Sequence, residues 1–355
     1  MNPGLGAGQA YLTRRASDHK TLPAPGGWFR GLWGPRPRMD DVLFIKTSSL
    51  GDVIHHMPAV TDAWRIFPHA RFAWVTEEPY APLVKLHPAI AEVIPVAARR
   101  WRNGIHRSAT WREMGAFRRR LRERSYDAIV DTQGLFRTGV LAKTASGHRH
   151  GYHADSVRER GAAMFYDEHH SVPRKLHAVE RNRILTGLAL GYKPVGGPDF
   201  GLDRERFRDM VVRPYAVLLH ATAQRKKEWP EENWVALGRA LERRGVDLLL
   251  PWGNAAEHAR ATRIADKLKL GRVPVRRPLD DMARMIAGAE FVVGVDTGLV
   301  HLAAALGVPL VAIFLDSAPE LTGALGNGPI EIVAGRSAPP TVDDVLAAVG
   351  RIAPS

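Results

Sequence analysis

The 355-residue sequence predicts an α/β protein of two Rossmann-like halves, each a parallel sheet covered by helices. Three observations carry this. Short apolar runs alternate with amphipathic stretches of helical length, once from Asp40 onward and again in the second half of the chain. The Gly/Pro-rich segment Gly191-Tyr-Lys-Pro-Val-Gly-Gly-Pro198 separates the two series. Several of the apolar runs end in small-residue loops, which is where parallel sheets present ligands, at the carboxyl ends of their strands.

In chain order, residues 1–38 are rich in Gly, Pro and Arg and have no sustained periodicity, so a disordered basic extension is expected, with Met39 a candidate start. A strand over 42–45 leads through the loop from Lys46 into a helix near 53–66. Strands over 72–75 and 93–96 precede a helix near 79–87 and the basic segment 99–124, and a strand over 128–130 ends in Asp131-Thr-Gln-Gly-Leu-Phe136. This alternation places the first domain at 39–190, a linker at 191–200 and the second domain at 201–355. The second domain is expected to hold strands at 215–219, 246–250 and 291–295 and a last one at 310–314. Its helices are expected at 231–243, opened by Trp229-Pro230, and at 255–268, 279–288 and 299–306. Two such halves make a GT-B architecture, with a ligand cleft between them.

Composition narrows the function. Without cysteine there is neither a disulfide framework nor a zinc finger. A formal net charge of +13 and a pI of about 10.3 call for an acidic partner: nucleic acid, an anionic membrane surface or a phosphorylated substrate. Arginine supplies most of the charge, notably Arg99-Arg-Trp-Arg102 and the run from Arg118 to Arg124, which also reads as a solvated helix face. No apolar run reaches the roughly 18 residues a membrane span needs. Phosphate-loop, His-Glu-x-x-His and Gly-x-Ser-x-Gly motifs are all missing. Histidines 148, 150, 153, 169, 170 and 177 lack ligand-like spacing with carboxylates, so no metal is expected.

Candidate chemistry lies on the strand-end loops. Lys46-Thr-Ser-Ser-Leu-Gly-Asp52 carries one carboxylate, Asp52, a candidate base. In Val295-Asp-Thr-Gly-Leu-Val-His301, Thr297 and Gly298 begin a helix whose free amides suit a phosphate, while Asp296 is either a loop-holding or capping group, and His301 either a phosphate contact or a structural residue. After another strand, Thr222 offers a hydroxyl, and Lys226 and Lys227 could neutralise a leaving diphosphate with Arg225 adding to the positive field, although adjacent loop lysines are commonly solvated. Glu257 is placed to accept bonds from a ribose.

Lys46-Thr-Ser-Ser-Leu-Gly-Asp-Val-Ile-His55, Arg99-Arg-Trp-Arg102, Tyr126-Asp-Ala-Ile-Val-Asp-Thr-Gln-Gly-Leu135, His177-Ala-Val-Glu-Arg181, Trp229-Pro-Glu-Glu-Asn-Trp234, Leu250-Pro-Trp-Gly253 and Phe291-Val-Val-Gly-Val-Asp-Thr-Gly-Leu-Val-His301 resemble, in order, the lipopolysaccharide heptosyltransferases of glycosyltransferase family 9. The resemblance implies inverting transfer of L-glycero-D-manno-heptose from ADP-heptose to the Kdo of Kdo2-lipid A, with addition of a later core heptose as the alternative. It implies Asp52 as base within a frame of Ser48, Ser49 and Gly51, and Lys227 as the cation on the diphosphate. Thr222, Glu257, Asp296, Thr297, Gly298 and His301 would hold the donor; Arg99, Arg100, Arg102, Gln133 and Arg158 would line the acceptor side. It further implies no metal or other cofactor, no nucleic-acid partner, and work in the cytoplasm on the inner face of the cytoplasmic membrane. The chain departs from the family at Ala223, where a second hydroxyl is usual, at Arg225-Lys226, which replaces a more acidic pair, and at Phe314-Leu-Asp-Ser-Ala-Pro319. From other classes, a nucleic-acid-binding protein would also account for the charge, and a sugar-nucleotide epimerase would share the architecture.

Overall fold

β1 (Asp41–Ile45) sets the frame: its last four residues, Val-Leu-Phe-Ile, are fully buried, as a strand in the middle of a helix-covered parallel sheet requires. The structure is a computed structural model that describes residues 38–208, 213–222, 224–315, 319–335 and 339–353. Residues 1–37 of the expected extension, Ala223 and residues 316–318 lie outside the described residues.

After β1 the chain runs through α1 (Leu50–Ile54), α2 (Met57–Ile66), β2 (Arg71–Glu77), α3 (Ala81–Val84), β3 (Ile90–Val96), α4 (Ala98–Asn103), α5 (Ser108–Arg122), β4 (Ser125–Asp131), α6 (Phe136–Thr144), β5 (Ser146–Tyr152), β6 (Glu168–His170) and α7 (Ala178–Leu190). The second half holds α8 (Arg204–Phe207), β7 (Tyr215–Leu219), α9 (Glu231–Glu242), β8 (Asp247–Leu249), α10 (Ala255–Ala265), β9 (Gly271–Arg272), α11 (Leu279–Gly288), β10 (Phe291–Val295), α12 (Gly298–Ala305), β11 (Leu310–Phe314), α13 (Pro319–Thr322), β12 (Ile330–Ala334) and α14 (Val342–Ile352).

Both sheets are parallel, in the orders β3-β2-β1-β4-β5-β6 and β12-β11-β10-β7-β8-β9. Numbered within its own half, the second order repeats the first. Each sheet therefore reverses its winding between its first and fourth strands, β1/β4 and β7/β10. Crevices at such reversal points, beyond the carboxyl ends of the strands, are where open α/β sheets bind ligands.

Several expectations are corrected. The helix expected over 53–66 is two helices, because Pro58 in the first turn of α2 lacks the amide that would continue α1. The helix near 79–87 shrinks to α3 behind a 3₁₀ turn at Glu78–Tyr80. β11 is not the last strand: β12 pairs with it in parallel, Leu310 with Ile330 through Phe314 with Ala334, and α14 follows.

One continuous apolar cluster passes from Phe44, Ile54 and Val60 of the first half to Ile286, Val300 and Leu302 on α11 and α12 of the second. A second cluster, around Trp229, Trp234 and Ile313, fills the other face of the second sheet. Beneath the first site loop, Arg183 on α7 donates to Asp62 on α2 at 2.7 Å through Nε, both side chains being buried (3% and 7% exposed). Removing Asp62 leaves the buried Arg183 only Glu180, at 3.0 Å and 39% exposed, as a counter-charge, so Asp62→Ala is expected to cost up to about 3–5 kcal/mol of stability. Urea unfolding checks this by its midpoint; an unchanged midpoint would show that the pair is not buried in solution.

Candidate functional site

The loop after β1 is held from below. Lys46 is buried, its Nζ donating to the Thr132 carbonyl (2.7 Å) and Asn182 Oδ1 (3.2 Å), and burial pulls its pKa down to about 8. Gln133, expected on the acceptor side, is also buried; its Oε1 accepts from the amides of Thr47 (3.1 Å) and Ser48 (3.3 Å), so it braces the loop and does not line its surface. Arg137 donates to the Ser48 hydroxyl at 2.9 Å.

Asp52 lies in the first turn of α1. Its Oδ2 accepts from the Ser49 amide (2.8 Å) and hydroxyl (3.2 Å), which closes the capping box that starts the helix. The side chain is 30% exposed and Arg158 Nη1 stands 4.0 Å from Oδ2. One carboxylate oxygen is thus tied to the fold, while Oδ1 has no protein donor among the described residues. That is the geometry of an oriented base with a lone pair to spare.

In the second half, the loops after β7 and β10 meet. Thr222 Oγ1 donates to the Asp296 carbonyl at 3.1 Å, and Lys227 Nζ to Asp296 Oδ2 at 2.6 Å. The carboxylate that would otherwise repel a diphosphate is therefore neutralised by the lysine beside it. Thr297 holds the N-cap position of α12 without a side-chain capping bond and Gly298 is its first residue, so the first amides of that helix open beside this pair.

α1 and α12 then join the halves. An added Cβ at Gly51 would lie 2.9 Å from His301 Cδ2, and one at Gly298 would lie 2.6 Å from Leu50 Cβ, so each helix needs a glycine where the other's side chain presses. His301 Nδ1 is 3.3 Å from His55 Nε2, and its Nε2 is 3.9 Å from Asp296 Oδ1. Burial pulls His301 down to about 4 and His55 well below its ordinary range, so both rings are neutral at pH 7. His301, left open in the sequence between phosphate contact and structural group, forms the join itself.

Other candidates lie apart from this join. Both Glu257 oxygens are occupied by its own helix start, accepting from the Gly253 amide (2.7 Å) and Asn254 Nδ2 (2.6 Å), so a ribose hydroxyl would have to share them. Arg99, Arg100 and Arg102 are on α4. Arg99 and Arg100 line an open cavity of about 460 Å³ with Arg107, Thr110 and Glu113. Arg100 is already paired to Glu78 (2.8 Å) and Glu113 (2.7 Å), which raises its pKa and offsets its charge toward an acidic ligand. Lys46, Arg137 and His55 carried no assignment from sequence. For Lys46 a signal existed: a charged residue directly after a fully apolar strand and before a tight loop has to be buried and must find acceptors.

Comparison with known proteins meets this geometry. Residues 114–346 match the family described as glycosyltransferase family 9 (heptosyltransferase). The lipopolysaccharide heptosyltransferase 1 of Pseudomonas aeruginosa is 45% identical over 294 residues, 82% of this chain and 83% of that one. Escherichia coli heptosyltransferase WaaC with ADP superposes with a TM-score of 0.84 at 38% identity, over 88% of this chain and all of that one. The same enzyme with ADP-2-deoxy-2-fluoro heptose gives 0.80 at 37% identity, over 88% and 99%. Identity to the lipopolysaccharide heptosyltransferase 2 of Salmonella typhimurium is 25% over 313 residues, 81% of this chain and 86% of that one. The two-sheet architecture is accordingly GT-B, and the chain belongs to glycosyltransferase family 9, the heptosyltransferases.

Proposed function

We propose that this heptosyltransferase moves L-glycero-D-manno-heptose from ADP-heptose to the Kdo of Kdo2-lipid A, with inversion. The observation that carries the reading is the junction of α1 and α12, which sets the Asp52 carboxylate and the Lys227–Asp296 pair on the two sides of one contact. Asp52 takes the proton of the attacking Kdo hydroxyl through its unengaged Oδ1. Lys227 and the first amides of α12 stabilise the departing ADP, with no step assigned to a metal. Thr222 holds the Asp296 loop in place, Glu257 meets the ribose by sharing an oxygen, and Thr297 and Gly298 face the diphosphate.

The acceptor is bound on the basic first half. Arg158, beside Asp52, and Arg99 with Arg102 on α4 attract its carboxylates and phosphates, and the excess charge favours the anionic inner face of the cytoplasmic membrane. No helix among the described residues is long and apolar enough to cross a membrane. The identity of 45% to a heptosyltransferase 1, against 25% to a heptosyltransferase 2, supports the Kdo acceptor over a later core heptose. Purified protein supplied with ADP-heptose is expected to modify Kdo2-lipid A faster than an acceptor that already bears one heptose. The reverse preference would move the chain to the later step, and release of a rearranged sugar without any acceptor would remove it from transfer altogether.

A further inference from the structure

The edge of the first sheet gathers four imidazole and carboxylate groups that the proposed reaction does not use. On β5, His148 and His150 are two residues apart and so point to one face; on β6, Glu168 and His170 do the same. Parallel pairing sets His150 opposite Glu168 and Tyr152 opposite His170. The four side chains therefore converge although 20 residues of sequence separate His150 from His170. Spacing along the chain could not reveal this, because each strand alone offers at most two of the ligands.

The distances between the converging atoms are 3.2 Å from His150 Nδ1 to His170 Nε2, 3.5 Å from His148 Nε2 to Glu168 Oε2, 3.6 Å from His150 Nδ1 to Glu168 Oε2 and 3.9 Å from His170 Nε2 to Glu168 Oε1. The relevant atoms of His148, His150 and Glu168 all lie within 4.8 Å of one another. A tetrahedral zinc ion bound by nitrogen and oxygen at about 2.0–2.1 Å sets its ligand atoms about 3.3 Å apart, so atoms that already lie within 4.8 Å of one another reach a coordination shell by side-chain rotation. His150 and His170 are buried (7% and 8% exposed), while His148 (52%) and Glu168 (53%) stand open and give an ion a way in.

We propose that His148, His150 and Glu168 bind one divalent transition-metal ion of the zinc class at the β5–β6 edge, apart from the transfer site, with His170 packed beside them. Two nitrogens and one carboxylate, with water completing the shell, suit Zn²⁺, Co²⁺ or Ni²⁺ and disfavour Mg²⁺ and Ca²⁺, which prefer all-oxygen shells. The ion would pin β6, an edge strand of only three residues, onto β5.

The full chain, stripped with chelator, is titrated with Zn²⁺ by calorimetry and with Co²⁺ by visible absorption, alongside His148→Ala and Glu168→Gln. Both substitutions change exposed side chains, and far-ultraviolet circular dichroism verifies their folding. The wild-type chain is expected to take up one equivalent, to develop the intense visible bands of tetrahedral Co²⁺, and to melt at a higher temperature with Zn²⁺. Each variant should bind about tenfold or more weakly and lose the thermal shift. Failure of the wild-type chain to bind one equivalent, or equal affinity in all three proteins, would overturn the site.

Discussion

Asp52→Asn is expected to lower the turnover of heptose transfer by a factor of about 10²–10⁴, the usual contribution of a positioned general base, while the affinity for ADP-heptose stays close to that of the wild type. Asparagine is the informative replacement because Asp52 has a second task. Its Oδ2 receives the Ser49 amide and hydroxyl, and an alanine would also remove that cap, at about 0.5–2 kcal/mol of local stability. Asparagine keeps an oxygen for the Ser49 amide and loses only the basicity. Single-turnover transfer together with calorimetric donor binding separates the two functions; near-normal turnover would remove Asp52 from the chemistry.

Lys227→Ala is expected to slow transfer by about 10²–10³, the typical cost of removing one charge-stabilising donor from a transition state. The structure adds a complication that a second substitution resolves. Lys227 neutralises Asp296 at 2.6 Å, so its loss also leaves a carboxylate facing the diphosphate. If neutralising Asp296 were its whole task, Lys227→Ala combined with Asp296→Asn would recover most of the activity. If Lys227 stabilises departing ADP, the double variant remains slow. The proposed mechanism requires the second outcome, and the coupling energy from the four-protein cycle measures how far the lysine serves each partner.

Much of the scaffold was legible because it is written in continuous apolar runs. β7, β10 and β11 coincide with the expected 215–219, 291–295 and 310–314, since strands buried on both faces have little choice of residue. β5 was not foreseen: Ser-Gly-His-Arg-His-Gly-Tyr has no apolar signature, and pairing with β4 and β6 imposes its extended form. β12, Ile-Glu-Ile-Val-Ala, does carry an apolar signal, although the structure leaves its residues only half-buried or exposed. At the site, the strand-end loops were found from their position, but the use of each side chain was not. Gln133 turns inward to hold a loop, Glu257 bonds its own helix start, Arg100 is matched by two glutamates, and His55 meets His301 across 246 residues of sequence. Sequence spacing shows which face of an element a residue occupies, whereas these partnerships depend on how separate elements meet.

The interlock of Gly51 with His301 and of Gly298 with Leu50 acts as a fulcrum. Two bodies that rock about a point change their separation in proportion to the distance from it, so cleft opening is largest at the mouth and smallest beside α1 and α12. In the proposed mechanism, base and leaving-group cation sit at the short end of that lever. The proposed acceptor surface on α4, farther out, is then free to shift and to diversify without altering the spacing on which bond exchange depends. A bulkier residue at either glycine would act as a wedge, and its cost would fall first on that spacing.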